Sequence, residues 1–183
     1  MLPVSSTRSG QLASALWAFY AVSVRRLAHL HSGFQLQNAL RENLPQISLS
    51  LGVNPIVVCV VPRAKSEDAY HRNQQLFRAS VQEVIRLAHD FIDGTSYLRR
   101  HTNTKTTHLR NPVPNHINDG PEPYPRITEQ TCDISTDIAG NNILLIDDIY
   151  TPDVNIDENA INALLNSGAK TVTFYAIGKV QMY

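Results

Sequence analysis

The chain carries no excess charge of either sign. Sixteen Lys and Arg residues offset sixteen Asp and Glu, which removes the basic footprint of a general nucleic-acid binder, although a local patch stays open. Cysteine is scarce. Cys59 and Cys132 are the only two, and no CxxC or Cys/His cluster offers metal-ligand spacing. Cys59 lies in the apolar run Ile56-Val57-Val58-Cys59-Val60-Val61 and reads as a core residue. A reducing, cytoplasmic setting is therefore the expectation. No internal repeat is visible. The apolar stretch at residues 11–24 is too short to span a bilayer, so no membrane association is expected.

With these classes set aside, an ordinary globular balance remains: 43% hydrophobic and 17% charged residues in 183, enough to bury one full core. A single domain over residues 1–183 is expected. Residues 11–24, preceded by Arg8, have the character of a signal-peptide core. However, Leu12, Leu16, Phe19, Leu27 and Leu30 recur at helical spacing, and an amphipathic, core-covering helix is the preferred reading. Residues 1–51 thus read as a helical N-terminal extension, broken near Ser32-Gly33 and at Pro45.

Beyond Asn54-Pro55 the run Ile56 to Val61 predicts a strand buried on both faces. Residues 71–92 predict a helix with Leu76, Val81, Val84, Ile85 and Leu87-Ala88 as its stripe, closed by Asp93-Gly94, and residues 95–99 a short strand. From 100 to 136 Thr, Asn and Pro dominate, and a loop of this length inside a domain is usually functional or disordered. Residues 142–146 predict an apolar strand ending in Asp147-Asp148. A short loop then leads to a helix over 156–166, with Ile161, Leu164 and Leu165 buried and Gly168 at its C-cap, and to a strand over 171–177. Strand, helix and strand with short connections make a right-handed parallel βαβ unit.

Ligands of open α/β sheets bind beyond the carboxyl ends of strands. Two adjacent carboxylates there accept hydrogen bonds from vicinal hydroxyls or hold a hydrated Mg²⁺. The helix N-terminus that follows favours an anion. The blander reading is a turn at Asp147-Asp148 and a capping box of Asn155 with Glu158.

The segment Asn142-Ile143-Leu144-Leu145-Ile146-Asp147-Asp148-Ile149-Tyr150-Thr151-Pro152-Asp153-Val154-Asn155-Ile156 resembles the phosphoribosyl-pyrophosphate (PRPP) motif of type I phosphoribosyltransferases. The turn Asn166-Ser167-Gly168-Ala169 and the Val172 strand continue the likeness, and the stand-alone competence-associated amidophosphoribosyltransferase-like proteins are the nearest group. The resemblance is strong over the last third of the chain, weaker from Ile56 to Arg100 and absent before. It implies a Rossmann-like α/β fold: a central, mostly parallel sheet flanked by helices, with residues 100–136 as a flexible hood loop.

It also implies roles. Asp147 and Asp148 match the acidic pair on the ribose hydroxyls, the catalytic and metal-ligating positions, with Mg²⁺ held directly or through water. Thr151, Pro152, Asp153, Val154 and Asn155 match the 5′-phosphate loop. Arg63 and Lys65 fall in the position of the pyrophosphate loop, where their charge suits a diphosphate, and the same residues also suit a solvated turn. Arg100 or Lys105 of the hood would reach the leaving pyrophosphate. Pro152 removes a backbone N–H and a hydroxyl, and Asp153 puts a negative side chain where the family has Gly.

Two functions stay open. One is transfer of ribose 5-phosphate from PRPP to an unassigned nitrogen nucleophile with release of pyrophosphate. The other is a catalytically degenerate PRPP- or nucleotide-binding module, with a homodimer or protein partner undecided. A receiver domain, which also carries an Asp-Asp strand end, is excluded by position, because only a helix and a strand follow Asp148.

Overall fold

Ile56–Val60 is buried at every position, as a run of β-branched residues covered on both faces must be. In the computed structural model, which describes residues 14–17, 33–70, 75–105, 127–150 and 155–179, this strand lies inside a five-stranded parallel sheet. In chain order the elements are β1 (Ser14–Trp17), α1 (Gly33–Leu51), β2 (Ile56–Val60), α2 (Leu76–Ile85), β3 (Phe91–Asp93), β4 (Leu98–Arg100), β5 (Cys132–Ile134), β6 (Asn142–Tyr150), α3 (Ile156–Asn166) and β7 (Thr171–Lys179). The strand order is β1-β7-β6-β2-β3, and β4 and β5 form a separate antiparallel pair. The protein is thus α/β, with a parallel central sheet and three α-helices among the described residues. None of those helices is long and apolar enough to cross a membrane.

The alternation of side chains along each strand divides the core in two. Ile56, Val58, Val60, Leu144, Ile146, Tyr175 and Ile177 pack with Leu36, Leu40, Leu44 and Ile47 of α1 and Val81, Val84 and Ile85 of α2. Val57, Cys59, Ile143, Leu145, Val172 and Phe174 face the other way, against Ala160, Ile161 and Leu164 of α3 and against Leu98, Ile127, Cys132 and Ile138.

The βαβ unit β6-α3-β7 is present, with Asn142 in register with Thr171 and Ile146 with Tyr175. Its helix ends as expected. Gly168 takes φ +91°, its N–H donates to the Leu165 carbonyl at 3.0 Å, and the Ala169 N–H donates to the Leu164 carbonyl at 3.1 Å. This is the left-handed termination that glycine adopts without a side-chain penalty.

Four expectations need correction. Residues 14–17 form a strand in parallel register with Thr171–Phe174 of β7, not a helix; the open edge of β7 supplies hydrogen bonds that helical spacing cannot foresee. Pro45 does not break α1, which runs through it. Leu36, Leu40, Leu44 and Ile47 on both sides of it are buried while Pro45 itself is exposed, so packing outweighs one missing backbone bond. The helix expected over 71–92 is Leu76–Ile85, and Phe91–Asp93 is instead the edge strand β3 on Ile56–Val58; residues 71–74 lie outside the described residues. The stretch 100–136 is not uniformly loop, because Cys132–Ile134 pairs with Leu98–Arg100 and buries Cys132. Residues 106–126 lie outside the described residues.

Candidate functional site

β6 does not stop at Ile146. Its pairing with β7 continues through Asp147–Ala176 and Ile149–Gly178 to Tyr150–Lys179. On its other side β2 ends at Val60, and the Val61 N–H donates to the Ile146 carbonyl at 3.0 Å before the chain turns away at Pro62. The projecting part of β6 that carries Asp147 and Asp148 thus stands beyond the end of β2, at the carboxyl edge where a sheet of this class takes ligands. The acidic pair lies within the projecting strand, not after its end, and its two side chains leave on opposite faces as the pleat requires.

Asp147 turns toward α3 and meets Asp157, which is 3% exposed. Two carboxyls in hydrogen-bond contact need a proton between them. Burial pushes the Asp147 carboxyl well above its usual range, and the Asp148 and Asp157 charges add to the effect. Burial likewise carries Asp157 up to about 7. Among the described residues Asp157 Oδ1 has no hydrogen-bond partner, nor has the buried Oε2 of Glu158. Glu158 Oε1 accepts from the Tyr150 hydroxyl at 3.2 Å, and the Tyr150 ring stands edge-on to Phe174. Asp148 is exposed.

Asn155 precedes α3 with φ 57°, in the left-handed region, and its side chain caps nothing. Its carbonyl instead accepts from the Asn159 backbone and side-chain amides. The Asn155–Glu158 capping box does not form, because Glu158 is held by Tyr150. Thr151, Pro152, Asp153 and Val154 lie outside the described residues.

Cationic residues near this edge come from the loop after β2. Arg63 is exposed, with its guanidinium 5.0 Å above the Tyr70 ring. The Lys65 N–H donates to the Tyr70 hydroxyl at 2.9 Å. The chain from Arg100 to Thr104 is tied to this loop. Arg100 Nε donates to the Arg63 carbonyl at 2.7 Å, the Thr104 N–H and hydroxyl both donate to the Ala64 carbonyl, and the Ser66 N–H donates to Asn103 Oδ1. Arg63, Lys65, Arg100 and the backbone before Lys105 are thereby gathered at one end of β2, next to the strand that carries Asp147 and Asp148. Comparison with known proteins finds no family model that matches the chain and no curated protein that matches its sequence.

Several contributors escape a reading of the sequence. Asp157 lies ten residues beyond Asp147 and reads there as an N-terminal helix charge; only the fold of β6 against α3 brings the two together. Glu67 accepts from Arg78 and Arg99 on two other elements, a contact with no sequence signal. Both thiols are buried, and burial pushes Cys59 up to about 12 and raises Cys132, which disfavours the thiolate.

Among the described residues no group of three or more His, Cys, Asp or Glu is placed to hold a metal ion. The donors suit Mg²⁺ only in the manner of substrate-borne metal, through one or two carboxylates together with water and phosphate oxygens. The exposed Asp148 meets that requirement.

Proposed function

We propose that the protein binds a phosphorylated ribose bearing a diphosphate, in the manner of type I phosphoribosyltransferases, and transfers the ribose 5-phosphate to a nitrogen nucleophile with release of pyrophosphate. One observation carries this reading: β6 and β2 are adjacent parallel strands whose carboxyl ends present carboxylates on one and a cation-bearing loop on the other. A sugar diphosphate has that polarity. Its hydroxyls donate to carboxylates, and its diphosphate needs positive charge.

In this reading the exposed Asp148 receives the ribose hydroxyls, while Asp147, on the opposite face of β6, is held by Asp157 and fixes the strand that carries Asp148. Arg63 and Lys65 take the diphosphate. Mg²⁺, when bound with substrate, would neutralise phosphate charge as the anomeric bond breaks. The chain's own contribution is positioning and charge stabilisation, which matter most when a leaving group departs as an anion. Two free thiols accord with a reducing, cytoplasmic setting.

The second reading, binding without transfer, is favoured by Asp153 in the phosphate loop. Titration calorimetry with PRPP and Mg²⁺, paired with a pyrophosphate-release assay over candidate amines, separates the two. Binding with release supports transfer, binding without release supports a sensor, and no heat with PRPP defeats both. Asp148→Asn, an exposed change without cost to the fold, is expected to weaken PRPP binding about tenfold or more.

A further inference from the structure

Glu67 ties the turn that follows the β2 loop to two other elements. Its carboxylate accepts from Arg78 of α2 and, at 3.0 and 2.6 Å, from Nε and Nη2 of Arg99 in β4. Its carbonyl accepts from the Tyr70 N–H at 3.1 Å. Tyr70 is set in place by this anchor, and it reaches back to both cationic residues of the loop. Its ring lies beneath the Arg63 guanidinium, 5.0 Å away. Its hydroxyl accepts from the Lys65 N–H at 2.9 Å. Arg63, Lys65 and Tyr70 line one pocket of about 170 Å³ beside α2.

The ties to the chain at 100–104 act on the backbone of this loop. Arg100 and Thr104 donate to the Arg63 and Ala64 carbonyls, and the Ser66 N–H donates to Asn103. They fix where the chain runs, whereas the ring of Tyr70 acts on the Arg63 side chain. An arginine loses rotamer freedom when it takes an anion, and a ring beneath the guanidinium removes part of that freedom beforehand. The attraction is weak beside a charge-assisted hydrogen bond to phosphate, so it orients Arg63 without withholding it. Arg63 is exposed, and at an exposed site such a contact adds little to the fold. Its effect belongs to anion binding.

We propose that Tyr70 is a positioning residue for the diphosphate: its ring holds the Arg63 guanidinium and its hydroxyl the Lys65 backbone, so that both cations meet one diphosphate together. This deepens the sugar-diphosphate reading and rests on it.

The test is calorimetric titration of the full-length protein with inorganic pyrophosphate, for Tyr70→Phe and Tyr70→Leu, each with Arg63 present and with Arg63→Ala. Tyr70→Leu is expected to weaken binding about fivefold, and Tyr70→Phe, which keeps the ring, by no more than about twofold. With Arg63→Ala the two variants are expected to bind alike, because the ring then has no guanidinium to hold. A merely structural Tyr70 would keep their difference whatever stands at position 63. Spectra of isotope-labelled protein give a readout independent of any ligand. The Arg63 Nε–H is expected to carry a ring-current shift that Tyr70→Phe keeps and Tyr70→Leu abolishes, and the Lys65 amide to exchange faster in both variants. The role of Tyr70 is overturned if Tyr70→Leu binds pyrophosphate as tightly as the unaltered protein, if the difference between the variants survives Arg63→Ala, or if the Arg63 Nε–H and the Lys65 amide do not respond to the change at 70. Failure of the unaltered protein to bind pyrophosphate would instead defeat the diphosphate reading itself, and this role with it.

Discussion

Burial of Asp147 and Asp157 side by side makes the folded state a better proton binder than the unfolded chain over a defined window. Both carboxyls are raised by burial, Asp157 to about 7. Between the ordinary carboxylate value near 4 and about 7 the folded protein therefore retains protons that the unfolded chain has lost. Stability must then fall as pH rises through that window, by up to about 1.4 kcal/mol per pH unit for each proton retained. Asp157→Asn keeps the hydrogen-bond geometry without the titration. Its expected outcome, in urea melts from pH 4 to 8, is a flatter stability profile and a gain at pH 8; an unchanged slope would place the titration elsewhere. Gly94 supplies a second test. A Cβ there would lie 2.5 Å from Val57 Cγ1 and 2.9 Å from the Tyr97 ring, and Val57 is itself buried between β3 and β6. Gly94→Ala is expected to cost about 1–3 kcal/mol through overpacking, read as a lower denaturation midpoint.

At the scale of elements, α1 carries a residue that its packing tolerates without needing. Pro45 removes one helical N–H, yet the helix continues because four buried aliphatic side chains on both sides of it hold the axis against the sheet. Restoring the N–H with Pro45→Ala at this exposed position is expected to stabilise by about 1–3 kcal/mol, measured as a rise in thermal midpoint. A fall would mean that the ring itself makes a contact the fold relies on. The helix α3, the buried Ile161 and Leu164 of its stripe and its Gly168 terminus are legible from spacing alone, because their determinants lie within eleven consecutive residues and the turn after them, while the expected third member, Leu165, is only half-buried. The edge strands β1 and β3 are not. Ser14–Trp17 and Phe91–Asp93 are short, and what makes them strands is the free hydrogen-bonding edge of β7 and of β2, which local sequence does not contain.

For the molecule as a whole, stability should grade from the centre of the sheet outward. β6 is paired on both sides and packed on both faces, with Ile143, Leu144, Leu145 and Ile146 all at 1% exposure or less. β1 and β3 are paired on one side only. Native-state hydrogen exchange is expected to find the slowest amides in β6 and in the adjoining parts of β2 and β7, with β3 opening at lower free energy. Protection greatest in β3 would contradict the central placement of β6.

The sequence by itself determined the buried strand at Ile56, the βαβ unit from Asn142 onward and the presence of Asp147 and Asp148 in its first strand. Each is written in contiguous residues whose hydrophobic period and punctuation have a local physical cause. Only the tertiary structure decided that Asp147 meets Asp157, that Arg100 is enclosed behind the Arg63 carbonyl, and that residues 14–17 join β7. Those outcomes depend on which strand edge stands open and on which side chains the packing encloses. Both properties arise only once distant segments have packed together.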